Sequence, residues 1–186
     1  SWGTTAGHLL GLGATAAATS LAGPFCAERL DYKAELDRLI ATYAFEARDV
    51  NLAETYARSA LARNPDEANA WNQLGLVHAV RGQLDDARAC FEKAVASDPA
   101  MGTGWFNLAK AAVNTGDVAG AVLYYETGLA AMPGHLNARL DYGDLLFKQG
   151  ETERARAAYN EVLRIKPGYP PALQRIDRTN RNPKAS

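Results

Sequence analysis

The sequence predicts an all-α chain, a solenoid of antiparallel helix pairs, and three observations carry that prediction. A block of 34 residues recurs: "AWNQLGLVHAVRGQLDDARACFEKAVASDP" is followed one period on by "GWFNLAKAAVNTGDVAGAVLYYETGLAAMP" and again by "ARLDYGDLLFKQGETERARAAYNEVLRIKP". Inside each block a bulky residue and a small one recur at helical spacing, the arrangement that lets two helix backbones approach closely. Glycine and proline punctuate the blocks at nearly fixed places.

Residues 1–33 come first, an apolar arm and its lead-in. The first 27 residues contain no charged side chain other than the titratable His8, whereas everything after them is charged throughout. Leu9 to Ala22 is rich in small apolar residues, and "SLA" ahead of Gly23 resembles a signal-peptidase site, yet neither a basic stretch nor an initiating methionine precedes it. A lipoprotein signal would need cysteine after "LAG", where Pro24 stands. The leading reading is an arm that docks through Leu9, Leu10, Leu12, Leu21 and Phe25 on its own solenoid, a partner or a second copy. The others are a membrane-related or export segment, and a fortuitous linker.

Four units follow without insertion, at 34–67, 68–101, 102–135 and 136–169. Their fourth, seventh and eighth positions read Trp71-Leu74-Gly75, Trp105-Leu108-Ala109, Arg139-Tyr142-Gly143 and, more weakly, Asp37-Ile40-Ala41. The second helix carries Ala53, Ala87, Ala121 and Ala155 at position 20, then Ala57, Phe91, Tyr125 and Tyr159 at position 24. Trp71, Trp105, Phe91 and Tyr125 are expected to bury between helices. Gly82, Gly116 and Gly150 mark the turn inside a unit, where glycine takes the positive φ that ends the first helix. The first unit has Arg48-Asp49 there, which predicts a less regular turn. Pro65, Pro99, Pro133 and Pro167 close every second helix.

The last segment, 170–186, is read as a capping helix over 171 to about 179 followed by a polar basic tail, with Leu173 and Ile176 covering the bare face of the fourth unit. Its arginines are read as a solvated face rather than a contact for an acidic partner.

The W-x2-L-G of the first helices, the A-x3-F and alanine of the second and the terminal proline resemble the tetratricopeptide repeat, over residues 34–169. That resemblance implies a right-handed superhelix of four units plus a capping helix. It also implies a protein that holds other proteins.

In such a solenoid the first helices line a concave groove, reached from positions 2, 5, 6, 9, 12 and 13 of each unit. These positions supply Arg38 and Thr42, then Asn69, Asn72, Gln73 and Leu76. The third unit supplies Thr103, Phe106, Asn107, Lys110, Val113 and Asn114; the fourth, Asn137, Leu140, Asp141, Asp144, Phe147 and Lys148. Amides offer donor and acceptor to a peptide backbone, and Leu76, Phe106 and Leu140 are expected to seat apolar side chains. One subset of the family clamps the carboxylate tails of heat-shock chaperones with Lys or Arg and Asn at set positions. Arg38 and Asn107 resemble that pattern, while Thr42, Gln73 and Thr103 depart from it and disfavour such a clamp.

Chemistry is hard to place on this chain. Neither a nucleophile beside a histidine nor a glycine-rich phosphate loop occurs, and His8, His78 and His135 are scattered. Asp85-Asp86 and Glu151-Glu153 start helices, where they favour the positive end of the dipole. A formal net charge of −1 with 22% charged residues provides no field for nucleic acid. Cys26 and Cys90 read as free thiols. The expectation is a non-enzymatic adaptor without cofactor or metal that binds a peptide or protein segment and helps assemble a complex. Two alternatives are kept. One is a bacterial envelope factor resembling the repeat lipoproteins of type IV or tight-adherence pilus biogenesis, with periplasm or envelope favoured over cytoplasm. The other is the regulatory domain of a larger enzyme.

Overall fold

The computed structural model describes residues 30–181, and these residues form nine helices and no strand. In chain order they are α1 (Leu30–Glu46), α2 (Val50–Arg63), α3 (Ala68–Val80), α4 (Leu84–Ser97), α5 (Gly102–Thr115), α6 (Val118–Ala131), α7 (Leu136–Lys148), α8 (Thr152–Ile165) and α9 (Pro170–Arg181). The chain divides between Ser97 and Asp98 into two compact units. The first holds the pairs α1/α2 and α3/α4. The second holds α5/α6 and α7/α8 with α9 against the last pair. The expectations for residues 1–27, including Leu9, Leu10, Leu12, Leu21, Phe25 and Cys26, lie outside the described residues.

Each helix pair closes through the same turn. At the four turns Arg48, Gly82, Gly116 and Gly150 have φ of 64°, 75°, 79° and 88°. The residue after each donates to a carbonyl five positions back: Asp49 to Ala44, Gln83 to His78, Asp117 to Ala112 and Glu151 to Leu146, at 2.8–3.0 Å. The turn at Arg48 is therefore as regular as the others, against expectation. What differs is its conformational cost, because an L side chain in the left-handed region costs about 1–2 kcal/mol. Asp49 and Asp117 then cap the following helices, accepting from the Leu52 and Gly120 amides at 3.0 and 2.9 Å.

Large-against-small packing holds the pairs together. A Cβ placed on Gly75 would lie 2.5 Å from the Phe91 ring, and one on Gly143 would lie 2.4 Å from the ring of Tyr159. Phe91, Tyr125 and Tyr159 are buried. Trp71 and Trp105 are half-buried instead of fully buried, because the edge of each indole is turned to the chain behind it. The Trp71 indole N–H donates to the Pro65 carbonyl at 2.7 Å and that of Trp105 to Pro99 at 2.9 Å; Arg139 reaches the Pro133 carbonyl in the same way at 2.7 Å. Tryptophan and arginine share position 4 because both carry a long arm ending in N–H. Each thereby satisfies the carbonyl left at the turn between units.

Candidate functional site

The first helices keep positions 2, 6, 9 and 13 toward solvent or half-buried, but position 5 turns inward. Asn72, Phe106 and Leu140, all at position 5, are 8%, 4% and 4% exposed. Phe106 wedges against Gly128, where a Cβ would stand 2.5 Å from its ring, and its ring lies 4.8 Å from that of His135. Leu140 belongs to the cluster of Leu146, Phe147, Tyr159 and Ala172. The expectation that Phe106 and Leu140 seat a partner's apolar side chains is corrected on this ground, and Asn72 and Phe147 leave the accessible face with them. A residue one position from an exposed one is rotated about 100° around the helix, enough to move it from rim to core.

On the face that remains, one spacing recurs. Position 9 of a first helix meets position 6 of the next first helix, 31 residues on. In the first unit Gln73 Nε2 donates to Thr42 Oγ1 at 3.1 Å. In the second, Lys110 Nζ lies 3.5 Å from Asp141 Oδ2, and Arg175 Nε donates to Asp144 Oδ2 at 2.8 Å. Stacking thus uses part of the surface that sequence reasoning assigned to binding.

Asp144 is used most heavily. Besides Arg175 it accepts from Tyr159 Oη at 3.0 Å and from Arg178 Nη2 at 2.7 Å, and the Arg178 guanidinium lies 4.8 Å over the Phe147 ring. Asp144 is a hub that holds α9, whose arginines are engaged rather than merely solvated. The signal was present in the sequence: Arg175 and Arg178 stand 31 and 34 residues after Asp144, at facing positions of consecutive first helices. Burial, aided by the Asp144 charge, pushes the Tyr159 phenol above its ordinary range.

In the first unit, Arg38 pairs with Glu35 of its own helix and Asn69 lies exposed 3.4 Å from Glu67 Oε1. Leu76 is half-buried. In the second unit, Thr103, Lys110 and Asn137 are exposed, while Asn107 and Asp141 are half-buried. Here α5, α6 and α7 enclose an open cleft of about 240 Å³. Lys110, Val113, Asn114 and Lys148 form its rim, with Tyr125, Asp141, Asp144 and Leu145 beneath.

The histidines have local work. His78 Nδ1 lies 2.9 Å from Gln83 Oε1 across a turn, and His135 Nδ1 accepts the Ala138 amide at 3.0 Å as the N-cap of α7. Cys90 is buried and free, its thiol pushed up by burial. Among the described residues there is no group of three or more His, Cys, Asp or Glu arranged to hold a metal ion, and no helix is long and apolar enough to cross a membrane.

Helix pairs of one period, closed by one turn and stacked through first-helix contacts, define a helical-repeat scaffold of the protein-interaction class. The chain belongs to the tetratricopeptide repeat family, whose model matches residues 38–102 and 106–170. It is similar to cellulose synthase operon protein C of Xanthomonas axonopodis pv. citri, 30% identical over 135 residues. That match covers 68% of this chain and spans 9% of the relative's length. Among solved structures it resembles MamA, at 21% identity and TM-score 0.68, with 80% of this chain and 81% of that one covered. It also resembles YrrB, described as a TPR protein with an unusual peptide-binding site, at 20% identity and TM-score 0.65, with 78% and 75% covered. At these identities the two structures bear on fold.

Proposed function

We propose that this protein is a non-enzymatic adaptor that holds a peptide or protein segment along the first helices of its second unit and so helps assemble a larger complex. The observation that carries the reading is the open cleft between α5 and α7, whose rim residues Lys110, Val113 and Asn114 are exposed and fill no core. Thr103, Asn107, Asn137 and Asp141 extend the polar face on either side of it. The description of YrrB as having a peptide-binding site supports the class of ligand.

The test is capture of partners by the intact chain and by a Lys110→Ala/Asn137→Ala variant. Asn137 is exposed and Lys110 gives up only a solvent-exposed ion pair at 3.5 Å, worth about 0–1 kcal/mol, so helicity should stay unchanged and the melting temperature should fall little while the captured partner is lost. Capture that survives in the folded variant would refute the reading.

A second reading makes this adaptor an envelope assembly factor. It is supported by the uncharged residues 1–27 and by the similarity to a bacterial protein named for a cellulose synthase operon. Fractionation of the source cell, with the chain found in the envelope or in the cytoplasm, decides it.

A further inference from the structure

Resting on the groove reading above, we infer that the cleft of the second unit selects an acidic polypeptide segment. Four cations, Lys110, Lys148, Arg175 and Arg178, stand on the first-helix face of α5, α7 and α9 against two carboxylates, Asp141 and Asp144. Arg181, further along α9, is neutralised within its own helix by Asp177 at 2.6 Å. The whole chain carries a formal net charge of −1, so this positive surplus is a local feature and not a consequence of composition.

Geometry makes the surplus available to a ligand. Asp144 accepts from two guanidinium groups and the Tyr159 hydroxyl, so its charge is met from inside the chain. Asp141 is engaged only loosely, at 3.5 Å from Lys110. No described residue pairs with the exposed Lys148 ammonium at the rim of the cleft. An incoming carboxylate thus meets Lys148 without breaking a contact, and Lys110 at the cost of one long ion pair. Val113 and Asn114 line the same cleft, an apolar contact and an amide suited to a polypeptide backbone.

A nucleic acid fits this face poorly. Single strands bind through stacking on exposed aromatic rings, and Phe106, Tyr125 and Phe147 are 4%, 3% and 7% exposed.

The experiment uses the full chain and three fluorescein-labelled ten-residue peptides, in which Glu, Gln or Lys alternates with Ala and Leu, together with a labelled ten-nucleotide thymidine strand. Anisotropy at low salt should show the Glu peptide binding about tenfold tighter than the Gln peptide, a gap that narrows as salt screens the charges. Lys148→Glu combined with Lys110→Glu should abolish that preference. Lys33→Glu, which makes the same kind of charge change at an exposed position of α1, should preserve it. Equal binding of the Glu and Gln peptides, lost in the double variant, would overturn the acidic preference and leave the groove reading standing. Binding of none of the peptides would overturn both, and tighter binding of the thymidine strand would overturn the assignment to a polypeptide.

Discussion

Replacing Asp144 by Asn tests whether α9 is held by charge or by its apolar face. The substitution keeps the size of the side chain and an oxygen to accept the Tyr159 hydroxyl, so it removes the negative charge while sparing that bond. Two interactions weaken. The Arg175 guanidinium, 27% exposed, makes a charge-assisted bond at 2.8 Å, of the kind worth about 1.5–3 kcal/mol. The Arg178 contact at 2.7 Å is half exposed and screened, and contributes about 0–1 kcal/mol. The sum, about 1.5–4 kcal/mol, is comparable to the apolar anchorage α9 gets from Ala172, which is fully buried, and the half-buried Ile176. Loss should therefore appear as local opening of α9. Backbone amides of 172–181 should exchange with solvent about 10- to 900-fold faster in Asp144→Asn, while those of α5 and α6 keep wild-type protection. Asp144→Ala should go further, by about 1–3 kcal/mol, because the buried Tyr159 hydroxyl then has no acceptor. Unchanged exchange across α9 in Asp144→Asn would refute the reasoning and assign the cap to its apolar contacts alone.

Arg48→Gly should stabilise the first unit by about 0.5–1 kcal/mol, since relief at φ 64° exceeds the extra entropy glycine gives the unfolded chain; a lower urea midpoint would contradict this. Phe91→Ala should cost about 3–5 kcal/mol, read from the same urea midpoint, because its ring is 2% exposed and fills the space left by Gly75. Burial, together with the Glu126 carboxylate to which it donates at 2.7 Å, pushes the Tyr142 phenol up to about 12. The folded state thus holds that proton where the unfolded chain has lost it, so its contribution is complete below about pH 10 and is lost as pH rises through about 12. The urea midpoint should fall over that window more steeply in the wild type than in Tyr142→Phe.

The repeat was legible because its determinants are local. Gly82, Gly116 and Gly150 answer a backbone requirement, and the pairing of Gly75 with Phe91 or Gly143 with Tyr159 is a matter of volume within one helix pair. The accessible face was less legible. Position 5 and position 6 differ by one residue and nothing in their identity marks the difference: Phe106 and Leu140 are apolar in a groove that also admits Val113, and Asn72 is as polar as the exposed Asn69. What separates them is the rotation of each helix against its partner, which is set by contacts made with residues elsewhere in the chain. Trp71 and Trp105 show the converse. Their hydrophobicity suggested burial, while the feature that fixes their place is the indole N–H and the proline carbonyl six residues behind.

In the proposed reading, stacking and recognition draw on one set of side chains, and the two units then differ in what they offer a ligand. In the first unit the position-9 to position-6 link is neutral, Thr42 to Gln73, and Arg38 is paired with Glu35 on its own helix, so little charge is left over. In the second unit the same link is ionic twice, Lys110 to Asp141 and Asp144 to Arg175. An ionic link between repeats does not have to balance: Asp144 draws in two arginines, and Lys110 shares its carboxylate only at 3.5 Å while Lys148 takes none. The positive surplus at the cleft is thus what remains once the carboxylates have been spent on holding helices together. A substitution that strengthens stacking with a new carboxylate on this face would accordingly reduce the surplus, so the proposed ligand preference is coupled to stacking at these positions.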